Sequence, residues 1–432
     1  MVWNDGSSPV DLALLTYSVK PRGGVVHALR LAEELMRIGQ RVHLYALGPP
    51  DSFYRPVHVP FTIIQCPVSE GGSLEQKVER YIDTYYRHFM SSPSGASHQL
   101  YHAQDCISAN ALLRLREARR IPFFVRTVHH VDDFSTPALV RCQERSIIEP
   151  DYLFVVSRLW QEILNRDFHI PSRIVLSGVD VARFAPPRGE EERERVTREA
   201  KAELGVEGRT VLLTVGGIEP RKNTVTILRA LPRIIEALGA DGRRPKWLIA
   251  GGASFFDHRG YREQFFEEVN ALGVREGDDF TVLGPVSEEE MERLYRAADC
   301  FVLPSVREGW GLAVMEALAA GVPVVASAIE PFIDYLGHAE NALLVPPMEA
   351  EPVASAVIAV LRNPELAHRL SENGLKTAGE YSWAVAARQH VNAYLEILEK
   401  ERMGPASSAT SRNQARRELA APAGPPPGPR RA

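Results

Sequence analysis

Cysteine is scarce in this chain of 432 residues: Cys66, Cys106, Cys142 and Cys300 are the only four, and no two stand in a Cys-x-x-Cys spacing. That argues against a disulfide-built scaffold or a thiolate zinc site and fits free thiols in a reducing cytoplasm. Long apolar runs are lacking too. No segment reaches the roughly 20 residues that cross a bilayer, and the N-terminus has no basic-then-apolar layout, so we expect a cytoplasmic protein. Positive charge is not in excess: 50 Lys and Arg stand against 55 Asp and Glu, a net charge of −5. That balance points to neither nucleic acid nor an acidic partner. No short-period repeat is present. What remains is 45% hydrophobic and 24% charged, ordinary for an α/β protein with room for two or three domains.

The order of apolar segments sets the organisation. Residues 11–16 read as a buried strand, Gly23-Gly24 follow, and a helix is predicted over 25–38 with Ala28, Leu31, Ala32, Leu35 and Ile38 on one face and Gly39 as its stop. Residues 41–47 read as the next strand, which makes a βαβ unit and implies a parallel sheet. Strands at 100–102, 123–128 and 152–156 continue the series, and the apolar stripe from Leu74 to Phe89 reads as core packing. The charge run 188–203 reads as a solvated linker or a helix start. A second series follows, with strands at 210–215, 247–250, 280–283, 300–303 and 322–326. Helices at 224–238, 261–272, 287–298, 312–320 and 350–362 fall between and after them. The expected fold class is α/β, two consecutive doubly wound domains over residues 1–185 and 206–381. From residue 404 to 432 the chain turns to Ala, Pro, Arg and Ser and is expected to be disordered.

The most informative stretch runs from Val306 to Ser327. Glu308 and Glu316 stand eight apart, Gly309-Trp310-Gly311 make a turn after the first, and a breaker-free helical run from Leu312 leads to Gly321-Val322-Pro323 and a β-branched strand. Glycines before a helix N-terminus let backbone amides approach an anion closely, where the macrodipole favours phosphate. Two carboxylates suit sugar hydroxyls rather than phosphate.

This stretch resembles the Glu-x7-Glu pattern of family 4 retaining glycosyltransferases, nucleotide-sugar-dependent enzymes of the GT-B fold with two Rossmann-like domains facing a cleft. The resemblance implies that Glu308 contacts the donor sugar and Glu316 the nucleoside ribose, with the backbone of Gly309, Trp310, Gly311 and Leu312 beside them. It also implies that residues 382–400 form a closing helix crossing back to the first domain.

Other segments fall in the family's order along residues 10–347. Gly23-Gly24 opens a helix after the first strand, an anion site in principle, and lies in the family near the donor diphosphate and acceptor. It is not G-x-G-x-x-G, which disfavours a nicotinamide dehydrogenase. Thr214 to Asn223 resembles the family's Gly-Arg-x-x-x-x-Lys-Gly motif. Lys222 matches the lysine, Gly217 stands where the arginine belongs, and Arg221 is the substitute cation for a diphosphate leaving group. Arg126 to Asp133 resembles the family's Thr-Val-His-Asp segment, which places His129 at the histidine, with His130 as the alternative register. Asp132-Asp133 reads as a solvated pair, and no metal is expected. Tyr101-His102-Ala103-Gln104-Asp105 resembles an acceptor-side segment, and Ser157 the serine after the last strand of the first domain. Gly251-Gly252 resembles the glycine turn of the nucleotide site, and Leu283 to Val286 the loop that holds the base.

The expectation is a retaining hexosyltransferase that carries no cofactor, with a UDP- or GDP-linked sugar as donor substrate. Its acceptor is carbohydrate, lipid-linked or a small molecule. A lipid-linked acceptor implies peripheral membrane contact. Glu308, Lys222 and His129 are the expected catalytic residues. The alternatives are a disaccharide phosphorylase or a synthase with a sugar-phosphate acceptor on the same fold, and a non-catalytic sugar-nucleotide binder. Donor identity, acceptor and oligomeric state are not legible.

Overall fold

The structure, a computed structural model, describes residues 8–50, 53–66, 72–91, 98–134, 136–251 and 259–404. Seven strands form the first sheet: β1 (Asp11–Thr16), β2 (Arg41–Leu47), β3 (Phe61–Ile64), β4 (Leu100–Ala103), β5 (Val125–Val128), β6 (Tyr152–Val155) and β7 (Arg173–Ile174). Six form the second: β8 (Arg209–Val215), β9 (Arg244–Ala250), β10 (Phe280–Gly284), β11 (Cys300–Leu303), β12 (Val324–Ser327) and β13 (Leu343–Val345). Their orders are β3-β2-β1-β4-β5-β6-β7 and β10-β9-β8-β11-β12-β13. Every pairing is parallel. Each sheet is doubly wound, with strand order reversing beside its first strand, and a crevice opens there at the carboxyl ends of the strands.

The central strands are apolar almost without interruption because helices cover both faces. In β1 every residue after Asp11 is buried. The helix Gly23–Arg37 buries Val25, Ala28, Leu29, Leu31, Ala32 and Leu35. It ends where Gly39 turns to φ +93: the Gly39 amide donates to Met36 O and the Gln40 amide to Leu35 O. Those two bonds satisfy carbonyls that the helix end leaves free.

The charge run resolves as a helix, Glu190–Glu203, with three glutamates in its first turn and only Ala200 buried. Strands β3, β7 and β13 lie outside the sequence reading. Each is an edge strand of four residues or fewer, too short to show a period. The helices Cys106–Glu117, Pro137–Ile148, Arg158–Phe168 and Pro364–Glu380 were also not read. Expected boundaries moved by two or three residues: the first helix starts at Gly23, and β12 runs from Val324 to Ser327. Among the described residues no helix is long and apolar enough to cross a membrane. The expected tail lies outside the described residues from 405 onward.

The last helix, Trp383–Arg402, lies against the helix Gly23–Arg37 of the first domain. Its Tyr394 hydroxyl is 2.7 Å from His102 Nδ1, and its Glu396 pairs with Arg173. A Cβ on Gly178 would stand 2.5 Å from Trp383 Cα, so the chain crosses at backbone contact. The two domains also meet through charge. Glu288 of the second accepts from Arg30 at 2.8 Å and lies 3.1 Å from Arg55 Nε and 3.3 Å from Arg183.

Candidate active site

Three neighbouring strand ends build the floor of the site in the second domain. After β8, the amides of Gly216 and Gly217 donate to Ala250 O, at 2.8 and 3.1 Å. After β9, the Gly251 amide donates to Gly284 O at the end of β10, at 2.8 Å. Val286, just beyond, packs half-buried on the domain core. Gly252 lies outside the described residues. The short turn Pro220–Lys222 then sends the lysine stem back over this floor. A Cβ on Gly216 would stand 2.5 Å from Lys222 Cε, so the glycine makes the path for the lysine.

Lys222 and Arg221 converge on one carboxylate. Lys222 Nζ lies 2.6 Å from Glu308 Oε1, and Arg221 Nη1 lies 2.9 Å from Glu308 Oε2. Ser305, just beyond the end of β11, adds its hydroxyl to Oε1 at 2.9 Å. Glu308 is 4% exposed and Lys222 8%. Burial pushes the Glu308 carboxyl up, but Lys222 and then Arg221 outweigh it and hold it down to about 2. Burial pushes Lys222 down, against the pull of Glu308. The carboxylate is therefore ionised, and it shares its charge between two cations. Arg221 thus stands beside Lys222, while Gly217, where the family arginine belongs, takes φ +75.

Gly309-Trp310-Gly311 carries the chain from Glu308 to the helix Leu312–Ala319. A Cβ on Gly309 would run into the carbonyl oxygen of His129 in the first domain. Gly311 is in the left-handed region at φ +94, and its carbonyl accepts from the Val314 and Met315 amides. The amides of Leu312 and Ala313 are among those a helix start leaves without an intrahelical partner. The Trp310 side chain is buried, 5.0 Å from the Tyr335 ring and 5.3 Å from that of Tyr381. Leu312 packs into the cores of both domains.

Glu316, one turn into that helix, has different surroundings from Glu308. Its Oε2 accepts from the Tyr295 hydroxyl at 2.9 Å, and it lines a cavity with Arg30 and Arg183. Burial raises its pKa to about 6, with Tyr295 opposing.

The opposite wall belongs to the first domain. His129 follows β5, with Nε2 3.0 Å from Gln104 Oε1. A Cβ on Gly24 would make ordinary contact with the His129 ring at 3.6 Å, and Gly23 is open. Burial first, and His27 next, hold His129 well below the ordinary histidine range, so the ring is neutral. His130 lies 3.3 Å from Asp132, whose carboxyl also feels Arg221 and Arg307, and Asp133 pairs with Arg307 at 2.6 Å. Among the described residues no group of three or more His, Cys, Asp or Glu could hold a metal.

Two residues of the site were not anticipated. Ser305 sits at a strand end of the second domain, and the strand-end rule that led to Lys222 covers that position as well. Tyr295 lies on the helix Glu288–Ala297 at a spacing indistinguishable from core packing.

Two facing Rossmann-like domains with a strand-end site in each define a GT-B glycosyltransferase, and comparison with known proteins agrees. The profile described as Glycosyltransferase Family 4 matches residues 21–183, and that described as Glycosyl transferases group 1 matches residues 196–377. The chain is 30% identical over 285 residues to the O-antigen chain mannosyltransferase B of Escherichia coli, covering 64% of this chain and 71% of that one. It is 26% identical over 400 residues to the D-inositol 3-phosphate glycosyltransferase of Corynebacterium glutamicum, covering 88% and 93%. The crystal structure of Anabaena HepE in complex with UDP-glucose superposes with a TM-score of 0.70 at 16% identity, covering 89% of this chain and 99% of that one. The chain belongs to the family 4 glycosyltransferases of the GT-B fold, and it is a transferase enzyme.

Proposed function

We propose that this enzyme moves a hexose from a nucleoside diphosphate sugar to an acceptor hydroxyl with retention at the anomeric carbon and without a metal. The observation that carries the reading is the pairing of Lys222 and Arg221 on the two oxygens of buried Glu308, above the strand ends of the second domain. A diphosphate gains negative charge as the glycosidic bond breaks, and two fixed cations in a water-poor site stabilise that charge without reorganising. The single charge of Glu308 offsets one of their two. A bound diphosphate would share the cations, which leaves Glu308 free to orient the sugar beside its reacting carbon.

Because Glu308 is held by Lys222, Arg221 and Ser305 and is assigned to orienting the sugar, we favour front-side attack, in which the acceptor oxygen forms the new bond as the diphosphate departs and the leaving oxygen takes the acceptor's proton. Amides at the start of the helix Leu312–Ala319 share the leaving charge. UDP-glucose bound by the fold neighbour and the sugar transfers named for the relatives support a nucleotide-sugar donor and a hydroxyl-bearing acceptor. The cytoplasm is the expected compartment. A thermal-shift panel of UDP- and GDP-linked sugars tests the reading. A true donor at about 100 times its Kd adds roughly 2.7 kcal/mol of stability, and a panel with no shift contradicts the proposal.

A further inference from the structure

Side chains behind the cleft are joined in one hydrogen-bonded line. Tyr394 Oη lies 2.7 Å from His102 Nδ1. His102 Nε2 lies 2.7 Å from Thr127 Oγ1 and 3.2 Å from the Gln104 amide nitrogen. The Gln104 amide oxygen lies 3.0 Å from His129 Nε2. His102 is wholly buried, and Gln104 is 2% exposed.

With the Gln104 amide oxygen turned to His129 and its nitrogen to His102, the donor and acceptor roles along the line are set. An amide nitrogen only donates, so His102 Nε2 is the bare nitrogen and takes the Thr127 hydroxyl proton as well. The His102 proton then sits on Nδ1 and is donated to Tyr394. At the other end an amide oxygen only accepts, so His129 carries its proton on Nε2. A neutral imidazole has a single N–H, which leaves His129 Nδ1 as a bare acceptor. Among the described residues no hydrogen bond reaches that nitrogen. The charged and titratable groups that weigh most on the ring are His27 on the first helix, His102 on β4, Arg126 on β5 and the adjacent His130. None is a carboxylate, and each opposes a second proton on His129.

We propose that Gln104 is a positioning residue that fixes His129 in the Nε2–H tautomer, so that Nδ1 meets the transferred sugar as acceptor of a hydroxyl's hydrogen bond. The sugar hydroxyl rests on the proposed function; the tautomer does not.

The test is long-range proton–nitrogen NMR on the full chain with 15N-labelled histidine, His129 being assigned by difference against His129→Asn. The expected wild-type spectrum shows an Nε2–H ring with a bare Nδ1, unchanged between about pH 6 and about pH 8. Gln104→Glu puts a carboxylate against the ring and should raise its pKa by about one unit or more. In that variant kcat should fall as pH drops through the raised pKa, because protonation removes the acceptor, while donor KM holds. An Nδ1–H ring in the wild type overturns the proposal, and so does a Gln104→Glu titration that superposes on the wild type's. If Gln104→Glu does not fold, the wild-type spectrum decides alone. A correct tautomer in a protein that transfers no sugar overturns the proposed function and leaves the tautomer assignment standing.

Discussion

Lys222 Nζ stands 2.6 Å from Glu308 Oε1, although 86 residues separate them in the chain. Arg221 takes the other oxygen, so one buried carboxylate holds two cations at the place where a leaving group would gather charge. Removing the carboxylate of such a buried set leaves uncompensated charge, which costs about 3–5 kcal/mol.

Lys222→Ala removes one cation and leaves Glu308 with Arg221 alone. Because a diphosphate is charged before and during reaction, donor KM should rise and kcat should fall, with kcat/KM down about 10²–10³-fold. Steady-state kinetics with circular dichroism as a folding control checks this. Unchanged kcat/KM would remove the lysine from the site.

Glu316→Gln should mainly raise donor KM, because contacts to ribose hydroxyls help substrate and transition state about equally. Stability gives an independent readout. The folded carboxyl titrates at about 6, above its ordinary value, so its ionisation opposes folding as pH rises through that point. The melting temperature of Glu316→Gln, relative to wild type, should therefore climb between about pH 4.5 and about pH 7. A relative melting temperature that falls over that range would contradict the assigned burial.

Glu288→Gln removes the carboxylate through which the second domain holds Arg30, Arg55 and Arg183 of the first. The domains should separate: small-angle scattering should show a larger radius of gyration than the wild type's, and the difference should shrink at high salt, which screens the wild-type attraction. An unchanged radius at low salt would show that apolar packing alone sets the closed arrangement.

Gly178→Ala drives a methyl into the backbone of Trp383 at the crossing of the last helix. Overpacking of this kind costs about 1–3 kcal/mol. The melting temperature should fall by several degrees, and cutting the chain before Ser382 should lower it further. Equal melting temperatures for wild type and both variants would show that the closing helix contributes nothing to stability.

Much of this architecture was legible because it repeats. Apolar runs such as Leu12–Thr16 and Val211–Thr214 can only be buried parallel strands, and the helices between them complete the two sheets. Edge strands such as Arg173–Ile174 carry no pattern of their own and exist through pairing with β6. The positions of Lys222, Glu308 and His129 came from motif order. Gln104 came with its own segment, but its bond to His129 did not, and neither did Ser305 on Glu308 or Tyr295 on Glu316, because distances in the folded chain set these contacts. The Trp310 ring packs against Tyr335 and Tyr381, a contact that the glycines on either side of it do not foretell.

Glu308→Gln tests the central claim most directly. The variant keeps the shape and the Ser305 contact but releases Lys222 and Arg221 from a competing negative charge. Nucleotide binding by calorimetry should be at least as tight as in the wild type. Steady-state kcat should drop by roughly 10²-fold, since the oriented charge beside the reacting carbon is gone. Wild-type kcat in a folded Glu308→Gln enzyme would contradict the account.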